Sequence, residues 1–287
     1  MSITINRQYR DSLFKIVFNE KKELMSLYNA LSGKNLTNPD ELIINTLEDA
    51  VYVGIKNDIS FIFDENLSIY EHQSTFTPNL ALRGFFYIAD LYKKMYYSDK
   101  IFTKSRISIL TPKLVVFYNG NEEIPDVSEQ HLSDSFINKN ACSDLEVTAH
   151  IYNINIGHNR ELISRCRKLY EYCTFIDRVK KIMNTKDTDN VNQLLNQVID
   201  ECIADGILAD ILTEERNRVM TTILAQFNAE KYIEYEREYS YSEGLEQGRT
   251  EATNDSIRHM LDSGKTPSEI ADFCGYDINE ILAIQKN

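Results

Sequence analysis

DAVYVGIKNDISFIFDENLSIYEHQ, residues 49–73, holds the two runs whose reading decides the fold. Residues 49–63 and 67–73 are both rich in β-branched and aromatic side chains, and Asp64-Glu65-Asn66 between them is a turn signal. The simplest reading is an antiparallel hairpin. Upstream, in residues 11–31, Phe14, Val17, Phe18, Leu24, Leu27, Tyr28 and Leu31 recur mostly at three- and four-residue spacing. That predicts an amphipathic helical region with a break near Asn19. Gly33 then supplies the left-handed residue that closes it. Downstream, residues 79–97 return to helical spacing, with Leu82, Phe85, Phe86, Ala89, Tyr92 and Met95 on one face. Residues 113–118 (KLVVFY) read as an apolar strand closed by the turn dipeptide Asn119-Gly120, and residues 144–155 as a further strand. Helix, hairpin, helix, strand, strand is the order of an α/β domain with a mixed sheet.

From about residue 160 the pattern is helical throughout. Residues 160–183 form one long amphipathic stretch, 189–204 another, and 207–239 a third studded with Glu, Arg and Tyr. Near the end, Thr266-Pro267-Ser268-Glu269 and Asp277-Ile278-Asn279-Glu280 each place an N-cap three residues before a Glu. Pro267 at the first helical position and Gly275 beyond the last fit the same chemistry. Two short helices are predicted at 267–274 and 278–285.

The bulk composition bounds the function. A length of 287 residues suits one large domain, or one with a smaller appendage, and 43% hydrophobic with 26% charged residues is ordinary for a globular chain. No run of about 18 apolar residues suggests a membrane span. MSITINRQYRDSLF lacks the apolar core of a signal peptide, so a cytoplasmic location is expected. Five cysteines, odd in number and without a CxxC pair, point to neither a disulfide framework nor a zinc site. The 44 acidic against 31 basic residues argue against tight nucleic-acid binding by the chain as a whole.

Three polar groups interrupt the apolar hairpin. Asp58 lies in GIKNDISFIF, and Glu71 and Gln73 lie two apart, so they share a strand face. A hairpin brings Asp58 beside Glu71. Two carboxylates facing one point are what phosphodiester hydrolysis requires, because oxygen ligands hold Mg²⁺, which polarises the phosphoryl oxygen and lowers the pKa of the attacking water. The competing reading is a solvated strand face.

The flanking words are more specific. Asp11-Ser12-Leu13-Phe14-Lys15, Asn57-Asp58-Ile59-Ser60-Phe61, Glu71-His72-Gln73-Ser74-Thr75, Leu82-Arg83 and Val116-Phe117-Tyr118-Asn119-Gly120 occur in this order. Across roughly residues 9–180 they resemble the bacterial PD-(D/E)XK family of transposases and recombination-promoting nucleases. The resemblance implies a restriction-endonuclease-like fold, a mixed central sheet flanked by helices, over residues 1–185. Residues 186–287 would be an all-helical C-terminal extension. It also implies that Asp58 and Glu71 bind Mg²⁺ or Mn²⁺ with the backbone carbonyl of His72, and that Gln73 replaces the usual lysine. Losing one well-placed stabilising donor typically costs on the order of 10²–10³ in rate, so either a nearby cation, Arg83 or Lys56, compensates or the enzyme is slow. Asp11 either lends a further acidic group or is a helix N-cap. His72 should point away from Glu71, which leaves it no part as a base.

The implied function is a metal-dependent DNA endonuclease serving recombination, mobile elements or defence against foreign DNA. Two alternatives stand beside it: a non-catalytic DNA- or protein-binding module with a nuclease-like fold, and a nuclease silenced by its own helical tail. The last two helices look like a small helix-turn-helix, but Asp277, Asn279 and Glu280, with Lys286 as the cation, suit packing or self-association better. A homodimer or higher oligomer through the C-terminal helices is expected, with DNA as the substrate.

Overall fold

The structure is a computed structural model and describes residues 9–44, 58–138, 142–183 and 190–285. Helices α1 (Tyr9–Val17) and α2 (Lys21–Ser32) are separated at Phe18–Glu20, where Glu20 takes an extended conformation. The expected break near Asn19 is there. Gly33, at φ 70°, ends α2 by returning its N–H to the Asn29 carbonyl at 2.9 Å.

Among the described residues six strands follow: β1 (Ile43–Ile44), β2 (Ile59–Phe63), β3 (Asn66–Gln73), β4 (Thr111–Tyr118), β5 (Val127–His131) and β6 (Thr148–Asn153). They form one sheet in the order β1-β2-β3-β4-β6-β5. β2 and β3 make the expected antiparallel hairpin, pairing from Phe63↔Asn66 to Ile59↔Tyr70. The part of the hairpin reading that falls on residues 49–57, with Lys56, lies outside the described residues. The turn puts Asp64 and Glu65 both at positive φ (52° and 59°), the geometry whose twist matches the flanking strands. Neither residue is glycine. The Tyr28 hydroxyl and the Lys34 ammonium hold the Asp64 carboxylate, and Asn66 Nδ2 donates to the Asp64 carbonyl, offsetting the backbone cost.

β3 pairs parallel with β4, and β4 with β6, so the middle of the sheet is parallel and its margins antiparallel. β1 and β5 were not legible: β1 has two residues, and β5 (VSEQH) carries one apolar residue. A parallel pair needs a crossover, and α3 (Leu80–Tyr96) supplies the one from β3 to β4. The expected apolar face of α3 is not its most buried one. Leu80, Ala81, Gly84, Tyr87, Ile88 and Leu91 are buried, whereas Phe86 is exposed. The helix is apolar on both sides, and Gly84 decides which side approaches: a Cβ there would lie 2.0 Å from Leu114 Cδ2. Leu67, Ile69, Leu114 and Val116 meet α3 on this face, while Tyr70, Phe117 and Phe61 pack with α1 and α2 on the other.

The stretch 160–183 is two helices instead of one, α4 (Arg160–Arg165) and α5 (Arg167–Met183), because Cys166 is extended at φ −125°, ψ 104°. α6 (Val191–Ala204), α7 (Ala209–Glu214) and α8 (Arg216–Asp262) come next, so the third helical stretch breaks at Glu215 and then runs on past residue 239. The chain forms two compact units, Met1–Gln226 and Phe227–Asn287. Leu195, Ile199, Cys202, Leu212, Val219 and Ile223 from these helices join the α1–α2–α5 core, so the first unit is a mixed sheet flanked by helices. In the second unit Ile257, Ile270 and Ile281 form a small core between the end of α8, α9 (Pro267–Cys274) and α10 (Ile278–Gln285). Both short helices have the expected bounds. Thr266 and Glu269 form the reciprocal capping box, and Asp277 Oδ1 accepts the Asn279 N–H. Among the described residues no helix is long and apolar enough to cross a membrane.

Candidate active site at the end of the central hairpin

Pairing between β2 and β3 stops at Ile59↔Tyr70, and β3 runs three residues further. Among the described residues no strand pairs with Glu71, His72 and Gln73 on the side facing β2, and a backbone donor there needs an acceptor. Asp58 provides it. Its Oδ2 accepts the His72 N–H at 2.7 Å, and its own N–H donates to Glu71 Oε1 at 3.0 Å. The two carboxylates thereby fix each other's backbones. The alternative reading of a solvated strand face is overturned, since Glu71 is 3% exposed and the Asp58 side chain 12%.

Two cations attend the pair. Arg83, in the first turn of α3, reaches Gln73 Oε1 at 3.3 Å, Glu71 Oε2 at 3.5 Å and the Tyr87 hydroxyl at 3.1 Å. It therefore bridges Gln73 and the acid two residues before it. Lys15 of α1 places Nζ 3.0 Å from Asp58 Oδ1. Sequence reasoning missed Lys15, although it stands one turn after Asp11 and so shares its helix face. Tyr87 follows Arg83 by the same spacing.

Burial lifts both carboxyls above the ordinary carboxylate range. For Asp58 burial acts first and the Asp11 charge second, against Lys15 and the His72 N–H. Glu71 is pushed well up, by burial and then by the Asp58 charge, with Arg83 opposing. Burial lowers the proton affinity of Arg83, but Tyr87, Glu71 and Asp58 more than restore it. The pair thus favours a proton or a cation over its own free charge.

His72 points to the opposite face from Glu71, as strand alternation requires. It is fully buried, with Nδ1 2.6 Å from Asp11 Oδ1 and Nε2 2.9 Å from the Tyr172 hydroxyl, which also lies 3.0 Å from the Arg10 carbonyl. A carboxylate only accepts, so Nδ1 carries a proton toward Asp11. Asp11 is consequently not an N-cap: it sits inside the first turn of α1, buried, with its side chain turned onto β3. It is held behind the carboxylate pair and acts on Asp58 through its charge. Tyr172, a hundred residues from His72 along the chain, carries no local signal of this contact.

Two hard oxygen donors with raised proton affinity, and an ammonium already seated on one of them, fit a divalent cation chemically. The His72 carbonyl fits as well: Gln73 directs its own carbonyl to Asn119 on the β4 side, so the alternating His72 carbonyl lies on the Asp58 side. Among the described residues no three His, Cys, Asp or Glu side chains converge as a ready-made cage. Such an ion would complete its shell with water and phosphate, as Mg²⁺ does. No protein-family model, no curated protein and no solved structure matches the chain.

Proposed function

We propose that the chain is a metal-dependent endodeoxyribonuclease of the PD-(D/E)XK type, akin to the bacterial transposases and recombination-promoting nucleases. Asp58, Glu71 and the His72 carbonyl would hold Mg²⁺ or Mn²⁺. The observation that carries this reading is the reciprocal Asp58–Glu71 arrangement, two buried carboxylates just beyond the last β2–β3 pair described. When bound, the ion would supply charge stabilisation at the phosphoryl group and a more acidic water. Arg83 would supply the positive charge that Gln73 lacks, next to the developing negative charge, while Gln73 offers its amide as a positioning group.

A plasmid-nicking assay with Mg²⁺, Mn²⁺ or EDTA, beside Asp58→Ala and Glu71→Ala, tests the reading. Metal-dependent nicking lost in both variants is the expected result, and cleavage that survives EDTA or both substitutions sinks it. A second reading, a DNA- or protein-binding module without chemistry, is favoured by Lys15 and Arg83 already paired with the two acids. DNA binding without nicking under any metal would select it. A homo-oligomer through the C-terminal helices goes with the nuclease reading, and a monomeric mass by light scattering at micromolar concentration would count against that part.

A further inference from the structure

At the same end of the sheet, one strand over, a second polar cluster takes no part in the site described. β4 ends in Asn119-Gly120, and Asn119 still continues the ladder by donating to the Gln73 carbonyl at 2.9 Å. Arg10 Nη1 donates to the Asn119 carbonyl at 2.8 Å. Lys180 Nζ, from α5, donates to the Gly120 carbonyl at 3.2 Å and to Asn155 Oδ1 at 2.6 Å. Two cations from different helices thus converge on two consecutive carbonyls.

Among the described residues their valences are not filled. Of the five donors on Arg10, one meets the Tyr9 hydroxyl and one the Asn119 carbonyl; of the three on Lys180, two are engaged. Among the described residues no ion pair joins either cation to a carboxylate. Asp177, one turn back on α5, is paired with Lys181 at 2.8 Å. Burial, and then the Arg10 charge, brings the Lys180 ammonium down to about 8, so this is a cationic pair short of an anion.

The independent observation is Asn119. Its side chain is 1% exposed, and Oδ1 has no hydrogen-bond partner. Strand alternation places it on the Phe117 face, the side from which α1 and α5 bring Arg10 and Lys180. A buried amide oxygen without a partner costs about 1–3 kcal/mol. A half-turn of the amide exchanges Oδ1 for a donor. Unfilled donors, paired positive charge and a turnable amide are the equipment for an oxyanion.

We propose that Arg10, Lys180 and Asn119 bind a backbone phosphate of the nucleic-acid strand next to the one presented to Asp58 and Glu71. The proposal rests on the nuclease reading, because that reading supplies the strand. Neighbouring strands lie about 4.7–4.9 Å apart, so the turn after β4 stands one strand over from β3. Glu71 shares the face of Leu67 and Ile69 and Asn119 that of Phe117, so one nucleic-acid chain would reach both by passing over the ends of β3 and β4.

The test is binding of a short labelled DNA duplex to the full chain in Ca²⁺ between 50 and 200 mM salt, for wild type and Arg10→Gln/Lys180→Gln. Each phosphate neutralised contributes about −0.9 to the slope of log affinity on log salt. The double variant should therefore have a slope shallower by about 0.9, losing about 3.5-fold less affinity over this range. Should the variant not fold, labelling of Lys180 in wild type by an amine reagent replaces it, read by mass spectrometry. Micromolar duplex should protect Lys180, and inorganic phosphate at the same concentration should not. An unchanged slope in a folded variant, no protection, or equal protection by inorganic phosphate overturns the proposal while leaving the nuclease reading intact. Wild-type protein that does not bind DNA at all overturns both.

Discussion

Glu71→Gln should make the protein more stable while abolishing cleavage. Glu71 prefers its neutral form in the folded state, because burial and the Asp58 charge outweigh the help of Arg83 and the Asp58 N–H. A carboxyl whose proton affinity is raised by folding contributes stability below its unfolded pKa, near 4.3. That contribution is lost as pH rises toward the raised folded value. In this window the folded chain binds more protons than the unfolded one, so stability falls by up to about 1.4 kcal/mol per pH unit. Glutamine mimics the neutral acid and keeps an oxygen for the Asp58 N–H. The variant should therefore gain stability at pH 7.5, read as a higher Tm at roughly 2–4 °C per kcal/mol in a domain of this size. Near pH 4.5 the gain should vanish. If Mg²⁺ occupies the pair, it stabilises wild type by about 2.7 kcal/mol at a hundred times its Kd and leaves the variant unmoved. Thermal unfolding at pH 4.5, 6 and 7.5, with and without Mg²⁺, reads all of this. A variant less stable than wild type at pH 7.5, or a Mg²⁺ shift of equal size in both proteins, would refute the reasoning.

Other outcomes follow from single contacts. Arg83→Met removes the side chain that, among the described residues, bonds both Glu71 and Gln73. Cleavage should fall on the order of 10²–10³-fold, measured as single-turnover nicking with the fold checked by circular dichroism. His72→Phe keeps an aromatic ring among Phe14 and Tyr172 but leaves Asp11 without its buried partner. A buried charge left unpaired costs about 3–5 kcal/mol, seen as a lowered urea midpoint. Gly84→Val drives a side chain into Leu114 and should cost about 1–3 kcal/mol by overpacking, with partial recovery in a Gly84→Val/Leu114→Ala double variant. Thr266→Ala removes the N-cap of α9 at a cost of about 1 kcal/mol, and faster hydrogen exchange should be confined to α9 and its neighbours in the second unit.

Some of this molecule could be read from its residues and some could not, for physical reasons. The hairpin was legible because β-branched and aromatic runs flank a polar turn, and the C-terminal helix pair because caps are local chemistry. The bend at Cys166 was hidden, since nothing in RELISRCRKLY disfavours a continuous helix. The buried side of α3 was misjudged because spacing cannot choose between two apolar faces, and that choice fell to a missing Cβ at Gly84. Asp58 and Glu71 were found as polar interruptions in apolar strands. The groups around them divide by distance along the chain: Lys15 and Tyr87 lie one helical turn from residues already singled out, whereas Tyr172, which meets His72, arrives from α5 and leaves no trace near the site.

The net charge of −13 weighs against nucleic acid as a partner, and on the proposed function any contact with a strand would have to rest on local cations. Lys15 meets Asp58, Arg83 meets Glu71 and Gln73, and Arg10 and Lys180 close on the turn after β4. All four cations therefore stand at the ends of β3 and β4, where the buried acids also lie. Net charge governs solubility and long-range attraction, whereas contact with a strand is decided within about 8–10 Å at ordinary ionic strength. A surface that repels DNA at long range and holds it at one cationic edge should associate slowly. Its association rate should rise as salt screens the repulsion, even while equilibrium affinity falls through the phosphate contacts. Opposite salt dependences of on-rate and affinity would be the kinetic mark of that arrangement. A rate that falls with salt as steeply as the affinity would mean that the acidic remainder of the chain does not face the nucleic acid at all.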